Sequence, residues 1–168
     1  MITTLWIFFP LAITLHNLEE ALWLPRWSHH AKRFHPPVEQ NEFVFAVIVV
    51  TLLAYLSTFL AMAFPSVFIL RLIFFGVLGM MILNAFVPHL AATIVLRRYC
   101  PGLVTALFLM VPVNSVILYQ AIVDGLLQWL ELGLSTLVVA AFAVALLPFL
   151  FRLGKLIETR FLTDLRTK

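Results

Sequence analysis

Leu15-His16-Asn17-Leu18-Glu19-Glu20-Ala21-Leu22-Trp23 puts an imidazole and two carboxyls inside an apolar run that covers residues 5–24. About 20 apolar residues in helical form cross the ~30 Å hydrocarbon core of a bilayer. This run therefore has the length of a membrane span and the wrong side chains for its interior. An ionised acid at the bilayer centre costs about 2.5–3.5 kcal/mol on insertion scales. On a 3.6-residue helix His16 shares a face with Glu19 and Glu20, at i+3 and i+4. That face is expected to turn into a bundle of other helices, with Trp23 and Trp27 extending it toward one end. At least one of the two carboxyls is expected to be neutral or tightly paired.

The remainder of the chain supplies the bundle. Of 168 residues, 63% are hydrophobic and 11% charged, with a mean hydropathy of +1.07. A soluble domain carries about 25% charged residues. Further apolar runs lie at 43–64, 68–96, 103–123 and 132–151. Lipid offers no hydrogen bonds to backbone groups, which leaves helices as the spanning form. The expectation is an all-α membrane protein, one domain over residues 1–168, built as a bundle of five transmembrane helices. Trp6, Trp23, Trp27, Tyr99 and Trp129 fall near segment ends, as interfacial aromatics do, and the many phenylalanines read as lipid-facing.

Lys and Arg set the orientation. Arg26, Lys32 and Arg33 lie in the first loop, Arg97 and Arg98 in the third, and Arg152, Lys155, Arg160, Arg166 and Lys168 in the tail; only Arg71 lies on the other side. The positive-inside rule then places the N-terminus outside and the C-terminus in the cytoplasm. The first loop holds His29, His30 and His35 before Pro36-Pro37, a pair that cannot continue a helix. No helical spacing locks those histidines around an ion, so they are expected to be exposed. Gly154 to Lys168 reads as a basic amphipathic tail on anionic headgroups. No basic patch interleaves with polar residues, which argues against nucleic acid as a partner. The single Cys100 excludes an internal disulfide. Met1 to Leu5 lacks a basic region and the run after it lacks a small-residue cleavage site, which argues against a cleaved leader.

Partners for the buried charges can be sought by depth. The first and third segments run in the same direction. His16 lies eight residues before Leu24 and His89 seven before Leu96. At ~1.5 Å per residue both imidazoles sit at nearly one level. The second and fourth segments reach that level near Thr51 and Tyr55, and near Pro112 and Asn114. Pro88 cannot donate to the Asn84 carbonyl, so that oxygen is free for a ligand, a water or a kinked neighbour. His16, Glu19, Glu20 and His89 are the candidate catalytic and metal-ligating residues, with Asn84, Asn114 and Tyr55 as supporting polar groups. A structural reading stands beside this one. Asparagines in membranes commonly join helices, and a single histidine such as His89 is commonly a packing residue. Two imidazoles and one or two carboxylates are the ligand set of catalytic zinc and of non-haem iron. Without metal the same groups form a general acid–base pair.

Several membrane chemistries lack their motifs. No His-Glu-x-x-His for a zinc protease and no Gly-x-Ser-x-Gly nucleophile turn occur. Glutamyl intramembrane proteases need Glu-Glu-x-x-x-Arg and Phe-x-x-x-His. Here Arg26 is six residues after Glu20, and Phe86 is three before His89.

His16-Asn17-Leu18-Glu19-Glu20, followed by the Asn84 to His89 stretch, Tyr99-Cys100-Pro101-Gly102 with Thr105, and Leu109 to Pro112, resembles the HXXEE-domain proteins. These are small prokaryotic multi-pass membrane proteins. The resemblance covers about Leu11 to Tyr119. It implies a cytoplasmic-membrane location and singles out His16, Glu19, Glu20 and His89. The family is named for its motif and supplies no substrate. The leading expectation is a membrane-embedded enzyme acting on a lipid or other apolar substrate, with zinc or iron, or else the Glu/His pair, supplying the chemistry. The alternatives are a small transporter or metal-ion carrier, in which the cluster is a midplane binding site, and an accessory subunit of a membrane complex.

Overall fold

In the computed structural model, which describes residues 2–31 and 37–162, helices make up most of the described residues, with no strand among them. A 3-10 stretch, Ile2–Ile7, leads into α1 (Phe8–Ser28). Then follow α2 (Gln40–Ala63), α3 (Phe68–Leu96), α4 (Leu103–Val123) and α5 (Trp129–Ile157). Four helices, α2 to α5, are long and apolar enough to cross a membrane. At 21 residues α1 also has the length; His16, Asn17, Glu19 and Glu20 are what lower its apolarity. The expectations for Lys32, Arg33, His35 and Pro36 in the first loop, and for Leu165, Arg166 and Lys168 in the tail, fall outside the described residues.

α1 runs past the apolar run that ends at Leu24. Pro25 has no N–H to give the Ala21 carbonyl, yet the helix continues to Ser28. Gln40 replaces the missing donor, its Nε2 lying 2.7 Å from the Ala21 oxygen. Ser28 then donates to the Pro25 carbonyl at 2.7 Å and accepts from the Val38 N–H at 3.1 Å. Val38 is thereby tied back to the end of α1.

α3 lies at the centre, packed on α2, α4 and α5, while α1 sits between α2 and α4. For helices of this kind in lipid, whose chains are as apolar as leucine, close packing between helices replaces the hydrophobic effect. Two glycines of α3 make that possible against α5. A Cβ on Gly79 would lie 2.0 Å from Thr136 Oγ1, and one on Gly76 2.7 Å from the Ser135 carbonyl oxygen. At the N-terminal end of α1, Trp6 is buried between Phe74 (centroids 4.9 Å) and Phe75 (5.5 Å, edge-on), and Phe9 meets Phe74 edge-on at 6.0 Å. Trp6 is thus a core residue rather than an interfacial one. Phe9, Phe74 and Phe75 are fully buried, whereas Phe59, Phe108 and Phe142 face outward, as expected of the phenylalanines as a class.

The described part of the tail prolongs α5. Gly154 comes close enough to α2 that a Cβ there would lie 3.1 Å from the Glu42 Cα. Lys155 Nζ lies 3.9 Å from Glu42 Oε1, and Asn41 donates to Glu158 at 2.7 Å. The last described turns, Glu158–Leu162, take π geometry.

Candidate metal centre

One turn of α1 separates His16 from Glu20, so both project to the same side. α3 brings His89 to them through a break. Val87 leaves the helical region (φ −134°, ψ 110°) just before Pro88, and Ala85–Leu90 forms a π-type turn. A proline here cannot donate to the Asn84 carbonyl, and the resulting kink leaves Val87 outside and His89 inside. The His16 and His89 rings meet edge to face, with centroids 5.2 Å apart. Both imidazoles are almost wholly buried, at 0% and 1% exposure. Glu20 Oε1 lies 3.1 Å from His89 Nε2 and 3.8 Å from His16 Nε2.

The turn between α3 and α4 closes the site. Arg97 ends α3 in the left-handed region (φ 49°) and Gly102 opens α4 at φ +90°. Gly102 is required for space as well as for its dihedral. A Cβ there would lie 2.6 Å from His89 Cε1 and 3.0 Å from both His16 Cε1 and Glu20 Cγ. The backbone of the turn therefore rests directly on the cluster.

Glu19 holds that turn in place. Its carboxylate accepts from the Gly102 N–H at 2.9 Å, the Thr105 N–H at 3.2 Å, the Thr105 hydroxyl at 2.6 Å and the Tyr99 hydroxyl. First-turn N–H groups of a helix have no intrahelical acceptor, and the helix N-terminus favours negative charge. Glu19 thus caps α4 from a different helix. Tyr99 lies beyond the apolar segments, and burial, followed by its bond to Glu19, leaves its phenol pushed up to about 12. It remains a donor to Glu19 throughout the ordinary pH range.

The direction of these bonds puts a proton on His16 Nδ1. Thr105 has one hydroxyl proton, and the nearer acceptor is Glu19 Oε2 at 2.6 Å rather than the Gly102 carbonyl at 3.2 Å. Its oxygen must then accept from His16 Nδ1, 3.1 Å away. With the proton on Nδ1, neutral His16 presents a bare lone pair at Nε2. That atom is buried and finds no hydrogen-bond partner among the described residues. It faces the Glu20 carboxylate, another acceptor.

His16, Glu20 and His89 each offer a ligand atom, all within 4.8 Å of one another, and could hold a metal ion. Glu19, the fourth residue expected there, is instead engaged by the α4 turn. Asn84 does reach the cluster, its Nδ2 lying 3.1 Å from His89 Nε2. Asn114 and Tyr55 do not: Asn114 donates to the Leu78 carbonyl at 3.1 Å, and the Tyr55 hydroxyl pairs with Thr14 Oγ1 at 3.1 Å. Trp23 is 53% exposed and stands away from the inward face. His29 and His30 are exposed; His29 Nε2 lies 3.9 Å from Glu39 and His30 is bonded to the Arg26 carbonyl. Tyr99, Gly102 and Thr105 enter the site, although the sequence marks their stretch only as part of the family resemblance and gives none of them a role.

Fold and site together define a class: an all-helical protein of membrane-crossing dimensions with a buried His/Glu cluster able to take a cation. Residues 6–118 match the family described as "Protein of unknown function with HXXEE motif", and the chain belongs to that family. The chain is also similar to the uncharacterized protein YrkK of Bacillus subtilis (strain 168), with 53% identity over 147 residues, or 88% of this chain and 93% of that protein. No solved structure matches. The family match takes in every residue of the cluster and its turn, and stops before α5.

Proposed function

We propose that this is a multi-pass protein of the bacterial cytoplasmic membrane that holds a divalent cation, zinc or iron, between His16, Glu20 and His89, and acts as an enzyme on a lipid or other apolar substrate. All five helices cross the membrane in this reading, with the N-terminus outside. A C-terminal reporter active only outside the cytoplasm would overturn that orientation.

The observation that carries the metal reading is the lone pair of His16 Nε2, buried without a partner and opposed to the Glu20 carboxylate. Two acceptors facing each other in a low-dielectric interior call for a positive centre between them. Ligand atoms around an ion ~2.1 Å away stand about 3–4 Å apart; the two Glu20 contacts, at 3.1 and 3.8 Å, have that spacing, and the trio, within 4.8 Å, closes slightly to hold an ion. Without an ion, the His89–Glu20 contact at 3.1 Å accommodates one shared proton; cation binding releases such a proton. Two imidazoles and a carboxylate leave coordination positions open, as catalytic sites do. A bound ion there supplies Lewis-acid chemistry and a water acidified toward neutral pH. Glu20, with a side chain 15% exposed, is the most accessible of the three.

Elemental analysis of protein purified without chelator tests this, with His16→Ala and His89→Ala as controls. Stoichiometric zinc or iron in the wild type and its loss in both variants is the expected result. No metal in the wild type removes the metal version and leaves the Glu20–His89 pair as a general acid–base couple. A second reading, an ion carrier, draws on the break in α3 beside the cluster, because discontinuous helices line the midplane sites of many transporters. Ion uptake into proteoliposomes driven by a pH gradient would favour it over the enzyme.

A further inference from the structure

Each histidine of the cluster has a second partner at Nδ1, and for His89 that partner is a thiol. Cys100 Sγ lies 3.7 Å from His89 Nδ1, within reach of a sulfur hydrogen bond. Cys100 is 2% exposed and forms no disulfide. Its backbone is tied to α3, the helix that carries His89, because its N–H donates to Thr93 Oγ1 at 3.0 Å. The His89 ring is thereby held between sulfur at Nδ1 and, at Nε2, Glu20 Oε1 and Asn84 Nδ2, each 3.1 Å away. His16 is held in the same way, by Thr105 at Nδ1, with Nε2 toward Glu20. Both outer partners come from one short stretch, residues 100–105. The independent mark of a ligand site is His16 Nε2, fully buried, without a hydrogen-bond partner among the described residues, and 3.8 Å from the Glu20 carboxylate.

We propose that Cys100 is a positioning residue for the metal-binding nitrogen of His89. Its sulfur accepts the Nδ1–H, which fixes the ring orientation and keeps the Nε2 lone pair directed at the cation. This rests on the metal reading above and extends it. Metal-bound histidines almost always give their other N–H to an acceptor, and loss of that acceptor typically costs 10–100-fold in affinity. The competing account is that Cys100 is a small buried hydrophobe, as free cysteines commonly are. The two accounts differ over which substitutions matter. A packing role needs volume; a positioning role needs an acceptor.

The test is cobalt(II) titration of the full-length protein in nanodiscs, read by the visible absorption of the bound ion. Wild type is compared with Cys100→Ser, Cys100→Ala and Cys100→Val. Serine keeps an acceptor and is expected to hold the Kd within about threefold of wild type. Alanine and valine remove it and are expected to weaken binding by about 10–100-fold, with a changed cobalt spectrum. Valine roughly preserves the volume, so it carries the test if the alanine variant fails to fold. Wild-type affinity in the valine variant, or a serine variant as weak as valine, overturns the proposal while the metal reading stands. A sulfur-to-cobalt charge-transfer band in the wild type also overturns it, because the thiol would then be a direct ligand. Absence of cobalt binding in the wild type overturns both.

Discussion

The same pair of helices, α1 and α3, meets twice, and the two meetings have opposite chemistry. Toward the N-terminus of α1, Trp6 and Phe9 pack on Phe74 and Phe75 with no polar atom required. Two to three turns further on, His16 and His89 meet edge to face, flanked by Glu20 and roofed by Gly102. Aromatic pairs contribute about 0.5–1.5 kcal/mol each beyond their burial, whereas buried ionisable groups are weak evidence of stability and often cost it. The aromatic end therefore holds the bundle together, and the polar end is a cost that the rest of the bundle carries. Substitutions at the two ends should separate stability from ion binding.

The largest effect is expected where two helices pack closest. Gly79→Leu forces a side chain into the position of Thr136 Oγ1 and should separate α3 from α5, giving loss of the folded protein in detergent by size-exclusion chromatography. Trp6→Ala comes next. Removing a fully buried tryptophan costs about 3–5 kcal/mol in a packed core, so Tm should fall clearly, while cobalt affinity per folded molecule should stay near wild type. Equal losses of stability and affinity would show that the two ends are not separate. Glu20→Gln should give the inverse result: metal content lost, with the Tm of the metal-free protein unchanged or raised against metal-free wild type, because the substitution removes a buried acid without changing its shape.

Within the motif the same contrast separates two adjacent carboxylates. Glu19 is a cap and Glu20 a ligand candidate. Glu19→Gln places an amide NH2 among donors from Gly102, Thr105 and Tyr99, and losing such a cap costs about 0.5–2 kcal/mol. Thermal stability should fall by that order, and metal affinity by less than in His16→Ala. An affinity loss equal to that of His16→Ala with unaltered stability would contradict the division.

Much of the fold was legible because membrane helices announce themselves by length: runs of about 20 apolar residues can do little else. The end of α1 was not legible. Its continuation through Pro25 depends on Gln40, which supplies the donor that proline lacks, and no local pattern encodes a side chain returning from the next helix. The meeting of His16 and His89 followed from depth alone, since both sit at similar distances from the C-terminal ends of their apolar runs. The division of labour between Glu19 and Glu20 could not follow from depth. Positions i+3 and i+4 share a face, and what separates them is the α4 turn, which reaches Glu19 from more than 80 residues away in the chain. The contact of Thr105 with His16 was hidden for the same reason, whereas Cys100 is 11 residues from His89 and is brought to the ring by the turn that ends α3. Trp6 near a segment end looks interfacial until α3 presents two phenylalanines to it.

The smallest effect examines the link between the cap and the site. Below pH 10 the Tyr99 phenol is protonated in both folded and unfolded chains, so it makes stability no more or less pH-dependent there. Between its ordinary value near 10 and about 12 in the folded protein, the folded chain binds the extra proton, so stability falls as pH rises through that window. Ultraviolet titration of phenolate should accordingly show one late-ionising tyrosine that disappears in Tyr99→Phe. In Glu19→Gln that tyrosine should ionise earlier, because the carboxylate that opposes the phenolate charge is gone. Burial is the larger cause of the shift and persists in the variant, so the return toward 10 should be partial. A full return would mean that the turn has left its seat on α1, in which case the variant should also lose cobalt; an unchanged late ionisation would mean that Glu19 does not hold Tyr99 at all.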